Sequence, residues 1–279
     1  MPSRETGSAD VNKHYAHQDL DAAILGALLA NGTDLDRLTS EDLAPIDEFH
    51  IRGRKATVAL ARDLVIDPGM QVLDVGCGLG GAARYLAREF GCRVTGLDLN
   101  PDYCRVAADF TRRLALDSLV SFRQGDAVAL PFPDASFDLV WTQHTAMNIS
   151  DKSGFYREVW RVLKSGGHLA IYDVLAGAGG TVHFPVPWAR YPSISFLLSA
   201  PELLAVLAEA GFEIRVWRDV TESGRSWFRH RQDSIRQNGL PPFGLQLLLG
   251  PDFSLMAHNQ LRNLEENRIA LIEAVVRRS

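Results

Sequence analysis

Three carboxylates and a run of glycines are the first groups in this 279-residue chain whose spacing suggests chemistry. The segment Asp74-Val75-Gly76-Cys77-Gly78-Leu79-Gly80-Gly81 has few bulky side chains, so its backbone can turn sharply and present N–H groups to a ligand. Glycines 76, 78 and 81 satisfy the GxGxxG pattern of dinucleotide sites, a weak signal by itself. Asp98 follows Asp74 by 24 residues, and Asp126 lies in Gly125-Asp126-Ala127. His50, His144 and His183 add imidazoles that titrate near neutral pH. Cys77, Cys92 and Cys104 lack metal-ligand spacing, which predicts reduced thiols and no metal site.

The elements that must hold these groups alternate in type. Residues 70–75, 92–99, 119–124, 136–143 and 168–174 read as strands, the last entered through a turn at Ser165-Gly166-Gly167. Helical stretches run from the glycines to Phe90, from Pro101 to about Leu116, and over 152–163. Such alternation predicts a parallel α/β sheet that binds its ligand beyond the carboxyl ends of the strands. On either side, residues 16–30, 34–39 and 53–66 read as helices, with a break at Pro45. Residues 175–199 suit an irregular loop, Pro201 opens a helix that Gly211 stops, and 212–220 is a strand. Residues 222–238 and 253–266 are helical, and 268–276 alternates as an edge or inserted strand.

In that frame the acids have different jobs. Asp74, at a strand end, would repel a pyrophosphate and suits a ligand with a cationic amino group. Asp98 can accept from two ribose hydroxyls, and Asp126 from an exocyclic amine such as adenine N6. Together they describe S-adenosylmethionine, whereas a dinucleotide accounts only for Asp98. Here VLDVGCGLGG, VTGLDLN, GDA, LPFPDASFDLVW and REVWRVLKSGGHLAIYDV resemble the successive motifs of class I S-adenosylmethionine-dependent methyltransferases. DEFHIRGRKAT and QHTAMNISDK resemble the small-molecule branch, which includes sarcosine/dimethylglycine-type N-methyltransferases and, more distantly, quinone C-methyltransferases. The resemblance implies a Rossmann-like, seven-stranded, mostly parallel sheet ordered 3-2-1-4-5-7-6, with 268–276 inserted antiparallel between the fifth and sixth strands.

It also implies roles. Asp74, Gly76, Cys77 and Gly78 would line the methionine end, with Gly80 and Gly81 as packing support. Asp98 would hold the ribose, Leu99 and Ala127 would sandwich the adenine, Asp126 would accept from N6, and Gln143 would face the sulfonium. The Cys77 thiol is expected to fill a small gap below the loop rather than to react. His144 and His50 are the candidate catalytic imidazoles; packing of the adjoining loop is the competing role for His144. Tyr15, His144, His183, Trp188 and Tyr191 are the candidate acceptor pocket, with Phe184 beside them and His14-Tyr15 closing over the cofactor. The acceptor expected from the branch resemblance is an amine nitrogen. The alternative is a phenolic or quinone oxygen or carbon in secondary metabolism; an NAD-dependent dehydrogenase or a non-catalytic binding protein are the minor ones.

Composition narrows the partners. A net charge of -5, with 34 acidic and 29 basic residues interspersed, lacks the basic footprint of a nucleic-acid binder. Apolar runs of about nine residues are half a membrane span, and the N-terminal MPSRETGSAD has no signal pattern, so a cytoplasmic location is expected. The length admits one or two domains. The motif positions favour a single domain over 1–279, with 11–67, 175–199 and 221–266 as a substrate cap. The Leu245–Leu249 run would finish the lid or form a homodimer contact.

Overall fold

The computed structural model describes residues 10–11, 14–15 and 20–279. Seven strands form its centre: β1 (Gln71–Val75), β2 (Arg93–Asp98), β3 (Val120–Gln124), β4 (Phe137–Gln143), β5 (Leu163–Ala176), β6 (Phe212–Asp219) and β7 (Ile269–Arg278). Their order is β3-β2-β1-β4-β5-β7-β6, as the sequence motifs implied. The first five run parallel, and β7 pairs antiparallel with both β5 and β6. Side chains of successive strand residues go to opposite faces. Val72, Leu139 and Ala170 therefore join one apolar cluster, while Leu73, Val140 and Ile171 join the other. With both faces covered, the apolar side chains of β1 and β4 are buried on either side of the sheet.

The helices are α1 (Leu20–Ala30), α2 (Ser40–Asp47), α3 (Arg54–Ala61), α4 (Gly81–Phe90), α5 (Pro101–Arg113), α6 (Lys152–Val162), α7 (Ala200–Glu209), α8 (Thr221–Asn238), α9 (Gln246–Leu249) and α10 (Phe253–Glu265). Local chemistry sets several ends. Asn100 accepts from the N–H groups of Asp102 and Tyr103 ahead of α5, and Ser199 with Glu202 forms a capping box on α7. None of these helices is long and apolar enough to cross a membrane.

Four local readings need correction. Pro45 lies inside α2 and does not break it: Thr39 and Asp42 form a capping box, and Leu43 and Ile46 are buried, which outweighs the lost N–H. The helix expected over 53–66 stops at Ala61. Ser165-Gly166-Gly167 belongs to β5 as an irregularity, where pairing passes from Phe137–Leu163 to Leu139–His168. The Leu245–Leu249 run is not exposed: Leu248 and Leu249 are buried, and Leu245 and Leu247 pack against a cluster with Leu43, Tyr103 and Phe110. It therefore offers no apolar stripe for a homodimer. Residues 16–19 of the first expected helix lie outside the described residues, and Leu20–Ala30 is helical.

One buried cation ties the N-terminal segment to the sheet. Arg84 on α4 is fully buried and donates to Asp47 Oδ2 at 2.6 Å and the Leu79 carbonyl at 2.8 Å. It also donates to the Ala107 carbonyl and Thr111 Oγ1 of α5. Removing one partner of a buried pair strands the other's charge. Arg84→Leu should cost about 3–5 kcal/mol in urea unfolding, and adding Asp47→Leu should recover most of it. A single-variant loss below about 1 kcal/mol would contradict this coupling.

Candidate active site

A cavity of about 250 Å³ opens at the carboxyl ends of β1, β2 and β4. Asp74 stands at its base, 3% exposed. A backbone hydrogen bond from Ala83 serves its carboxylate, but Oδ2 has no partner among the described residues. Burial, and then the nearby carboxylates of Glu48 and Asp98, push the Asp74 pKa up to about 8.

The glycines differ in what demands them. A side chain at Gly76 would collide with Thr145, whose hydroxyl donates to the Val75 carbonyl at 3.1 Å. One at Gly81 would lie 2.4 Å from the Asp47 carbonyl oxygen. Gly78, by contrast, has a left-handed φ of 52° and nothing within 4 Å of its absent Cβ. Its N–H donates to Asp98 Oδ2 at 2.9 Å, and that of Asn100 donates to Oδ1 at 2.9 Å. These bonds hold the Asp98 carboxylate at the cavity wall, opposing the upward pull of burial on its pKa. Cys77 lines the wall and also fills the space beside Gly96. Burial raises its thiol pKa well above the usual value, which suits packing over reaction.

Leu99, Asp126 and Ala127 continue the wall, and Asp126 accepts from the Val128 N–H at 3.0 Å. Gln143 is buried at the end of β4, its Oε1 accepting from Trp141 Nε1 at 2.9 Å. Its amide also meets Thr57 Oγ1 and His50 Nε2 at 3.1 and 3.4 Å. Thr57 donates to Glu48 Oε2 at 2.7 Å, so Gln143 joins β4 to the 48–57 segment.

Both candidate imidazoles line the cavity, with ring centroids 6.0 Å apart. His50 Nε2 lies 3.1 Å from the Gly53 carbonyl and 3.2 Å from Thr57 Oγ1. Burial lowers its pKa to about 4. His144 has a left-handed backbone, φ 51°, and donates its N–H to the Tyr172 carbonyl at 2.7 Å. Its ring lies against Tyr172, and Nε2 is buried with no partner among the described residues. Burial, then His50, takes its pKa well below the ordinary range. Both imidazoles are thus neutral at physiological pH.

The remaining candidates divide. Tyr15 lines the cavity; its hydroxyl donates to Asn148 Oδ1 at 3.2 Å, and its carbonyl accepts from Asn100 Nδ2 at 3.0 Å. His14 reaches the Pro187 carbonyl at 3.0 Å. Trp188 lines the cavity with its indole N–H on Ser195 Oγ. His183 does not reach it: the ring meets Glu266 at 2.9 Å, and the backbone is held by Asn263. Tyr191 is 68% exposed and also lies outside, as does Phe184, which packs on the core. A chain reading cannot tell which aromatics of a loop turn inward.

Sequence reasoning passed over Asn148, whose amide donates to the Trp188 and Ile194 carbonyls at 2.8 and 2.9 Å and holds 187–195 over the site. Its position just after β4, beside His144, was the available signal. It also passed over Glu48 and Thr57, whose value comes from a network spanning distant segments.

Residues 73–171 match the family described as a methyltransferase domain. The chain is 35% identical over 190 residues to methyltransferase GfsG of Streptomyces halstedii, covering 66% of this chain and 67% of that protein. It is 43% identical over 108 residues to 2-methyl-6-phytyl-1,4-hydroquinone methyltransferase of Synechocystis, covering 39% of this chain but only 33% of that relative. Among solved structures, that of the [4+2]-cyclase SpnF matches with a TM-score of 0.64 and 29% identity over 80% of each chain. The sheet order, the carboxyl-end cavity and this similarity place the protein among Rossmann-like methyltransferases. The chain belongs to the S-adenosylmethionine-dependent methyltransferase family, whose cofactor is S-adenosylmethionine.

The burial of Asp74 has a measurable consequence. Its folded-state pKa stands above the ordinary 3.8, so stability present below that value is lost as pH rises towards 8. Asp74→Asn should raise the Tm of the ligand-free protein, with a larger gain near pH 8 than near pH 5. An equal gain at both pH values would show that Asp74 does not carry the raised pKa.

Proposed function

We propose that this enzyme transfers a methyl group from S-adenosylmethionine to an oxygen, or to an acidic carbon, of a large and mostly apolar small molecule. The chemistry of the wall supports the cofactor assignment. The orphaned Asp74 oxygen suits an ammonium group, the open face of Gly78 admits close approach, and the anchored Asp98 carboxylate has lone pairs left for two hydroxyls. In this reading Gly76 and Cys77 shape the methionine end, Leu99 and Ala127 flank the adenine, Asp126 accepts from its amine, and Gln143 faces the sulfonium.

The observation that carries the acceptor class is the distribution of charge. Every acidic residue lining the cavity comes from 47–151, namely Asp47, Asp74, Asp98, Asp126 and Asp151. The lining residues later in the chain than Asp151 are aromatic or aliphatic except for Gln232, Gln260 and Arg231, the last their one charge. An ammonium acceptor would meet no carboxylate there, and Arg231 already lies over the Trp227 ring. These features support the oxygen or carbon alternative over the amine expected from the branch resemblance. The hydroquinone in the name of the Synechocystis relative has the same apolar, hydroxylated character.

When bound, the cofactor supplies an electrophilic methyl group, so the protein must chiefly position the acceptor and exclude water. His144 and His50 are neutral and can accept the hydroxyl proton as the oxygen becomes cationic. The single-domain reading goes with this: Tyr15 and 46–51, 187–196, and 227–260 all contribute to one cavity wall, and so act as a cap on the sheet.

Incubation with methyl-labelled cofactor should label apolar hydroquinones, phenols or enols and leave sarcosine and dimethylglycine unlabelled. Faster labelling of the amines, or cofactor binding with no transfer to any acceptor, would overturn the proposal. Asp98→Ala should weaken S-adenosylhomocysteine binding by about 1.5–3 kcal/mol in calorimetry, and unchanged affinity would remove its ribose role. His144→Asn keeps a residue that tolerates the left-handed backbone. It should lower kcat about tenfold or more with S-adenosylhomocysteine affinity intact; parallel loss of both would make His144 a packing residue.

A further inference from the structure

Helix α8 presents Trp227, Phe228, Arg231, Gln232 and Ile235 to the cavity, positions that fall on one helical face. Its other arginines are satisfied elsewhere. Arg225 donates to Glu222, the Leu264 carbonyl and Asn267, Arg229 to Glu265, and Arg236 to Asp233. Arg231 is half-buried with its guanidinium 5.5 Å from the Trp227 ring centroid, and no carboxylate among the described residues faces it. Burial alone draws its pKa below the ordinary value. The buried amide of Gln260 on α10, which packs against α8, and that of Gln232 line the same cavity.

A guanidinium withdrawn from water is costly unless an anion or several acceptors meet it. Its planar fork favours a carboxylate or phosphate with two oxygens in reach. We propose that Arg231 is a specificity residue that binds an oxyanion carried by the acceptor, so that the acceptor is an apolar molecule bearing a carboxylate or phosphate group remote from the methylated atom. The inference rests on the apolar-acceptor reading of this cavity. Trp227 and Phe228 hold the neighbouring apolar part, and the amides of Gln232 and Gln260 supply further donors.

The test uses the full chain saturated with S-adenosylhomocysteine and titrated with dodecanoate, dodecyl phosphate or dodecanol, followed by calorimetry. At least one anionic probe should bind about tenfold or more tightly than dodecanol, as expected for a charge-assisted pair. Arg231→Leu should remove that preference while keeping dodecanol and S-adenosylhomocysteine affinities, the latter serving as the folding control. Arg231→Lys should keep part of it, since the charge remains and the fork is lost. Equal affinities in the wild type, a preference that survives Arg231→Leu, or no binding of any probe would overturn the inference. A preserved anion preference with no methyl transfer to any hydroxylated acceptor would instead sink the functional reading alone.

Discussion

Much of this protein depends on a guanidinium that has no access to water. Arg84 joins α2, through Asp47, to the glycine loop, through the Leu79 carbonyl, and to α5. The residues just after Asp47 are Glu48, Phe49 and His50, which form one side of the cavity floor or its support. Gly81 reinforces the same junction, because only a hydrogen in place of Cβ lets α4 approach the Asp47 carbonyl. A buried pair of this kind is a weak source of net stability, yet it is strict about geometry. Here that geometry sets where an N-terminal segment, remote in sequence, meets the first strand.

The cavity built on this junction holds ionisable groups in the states their charges would least favour in water. Asp74 is raised to about 8 and both imidazoles are lowered, all mainly by burial. Both shifts act within one pocket. Burial disfavours the charged form in each case, so the carboxyl and the imidazoles shift in opposite directions. The same setting acts on Arg231, which also lines the cavity and faces no carboxylate among the described residues.

Coverage of the site comes from pieces far apart in the chain. Asn148 fastens 187–195 over the site by two hydrogen bonds donated from its side-chain amide, and Tyr15 reaches the same side chain from the N-terminal segment. His183, Tyr191 and Phe184 come from the same Pro- and Gly-rich loop as Trp188, yet only Trp188 enters the cavity. His183 is drawn away by Glu266, and Tyr191 by nothing more than the outward course of the backbone. The cavity wall contributed by these segments is therefore a set of contacts and not a pattern that could be recognised along the chain.

Sequence alone determined the strands, the glycine turn and the positions of Asp74, Asp98 and Asp126, because strand periodicity, strand ends and glycine conformation are local properties, while the sheet order came only from the resemblance of the motifs to a known family. Pro45 and Ser165-Gly166-Gly167 misled it where burial and strand pairing outweighed local preference. Only the tertiary structure decided that Gln143 is tied to the 48–57 segment, that both imidazoles are neutral, and that the leucines at 245–249 face inward. It alone separated Arg231 from its neighbours on α8, placing it against a cavity while Arg225, Arg229 and Arg236 found partners. Burial, pairing and pKa are sums over groups that the chain brings together from far apart, so no local pattern encodes them.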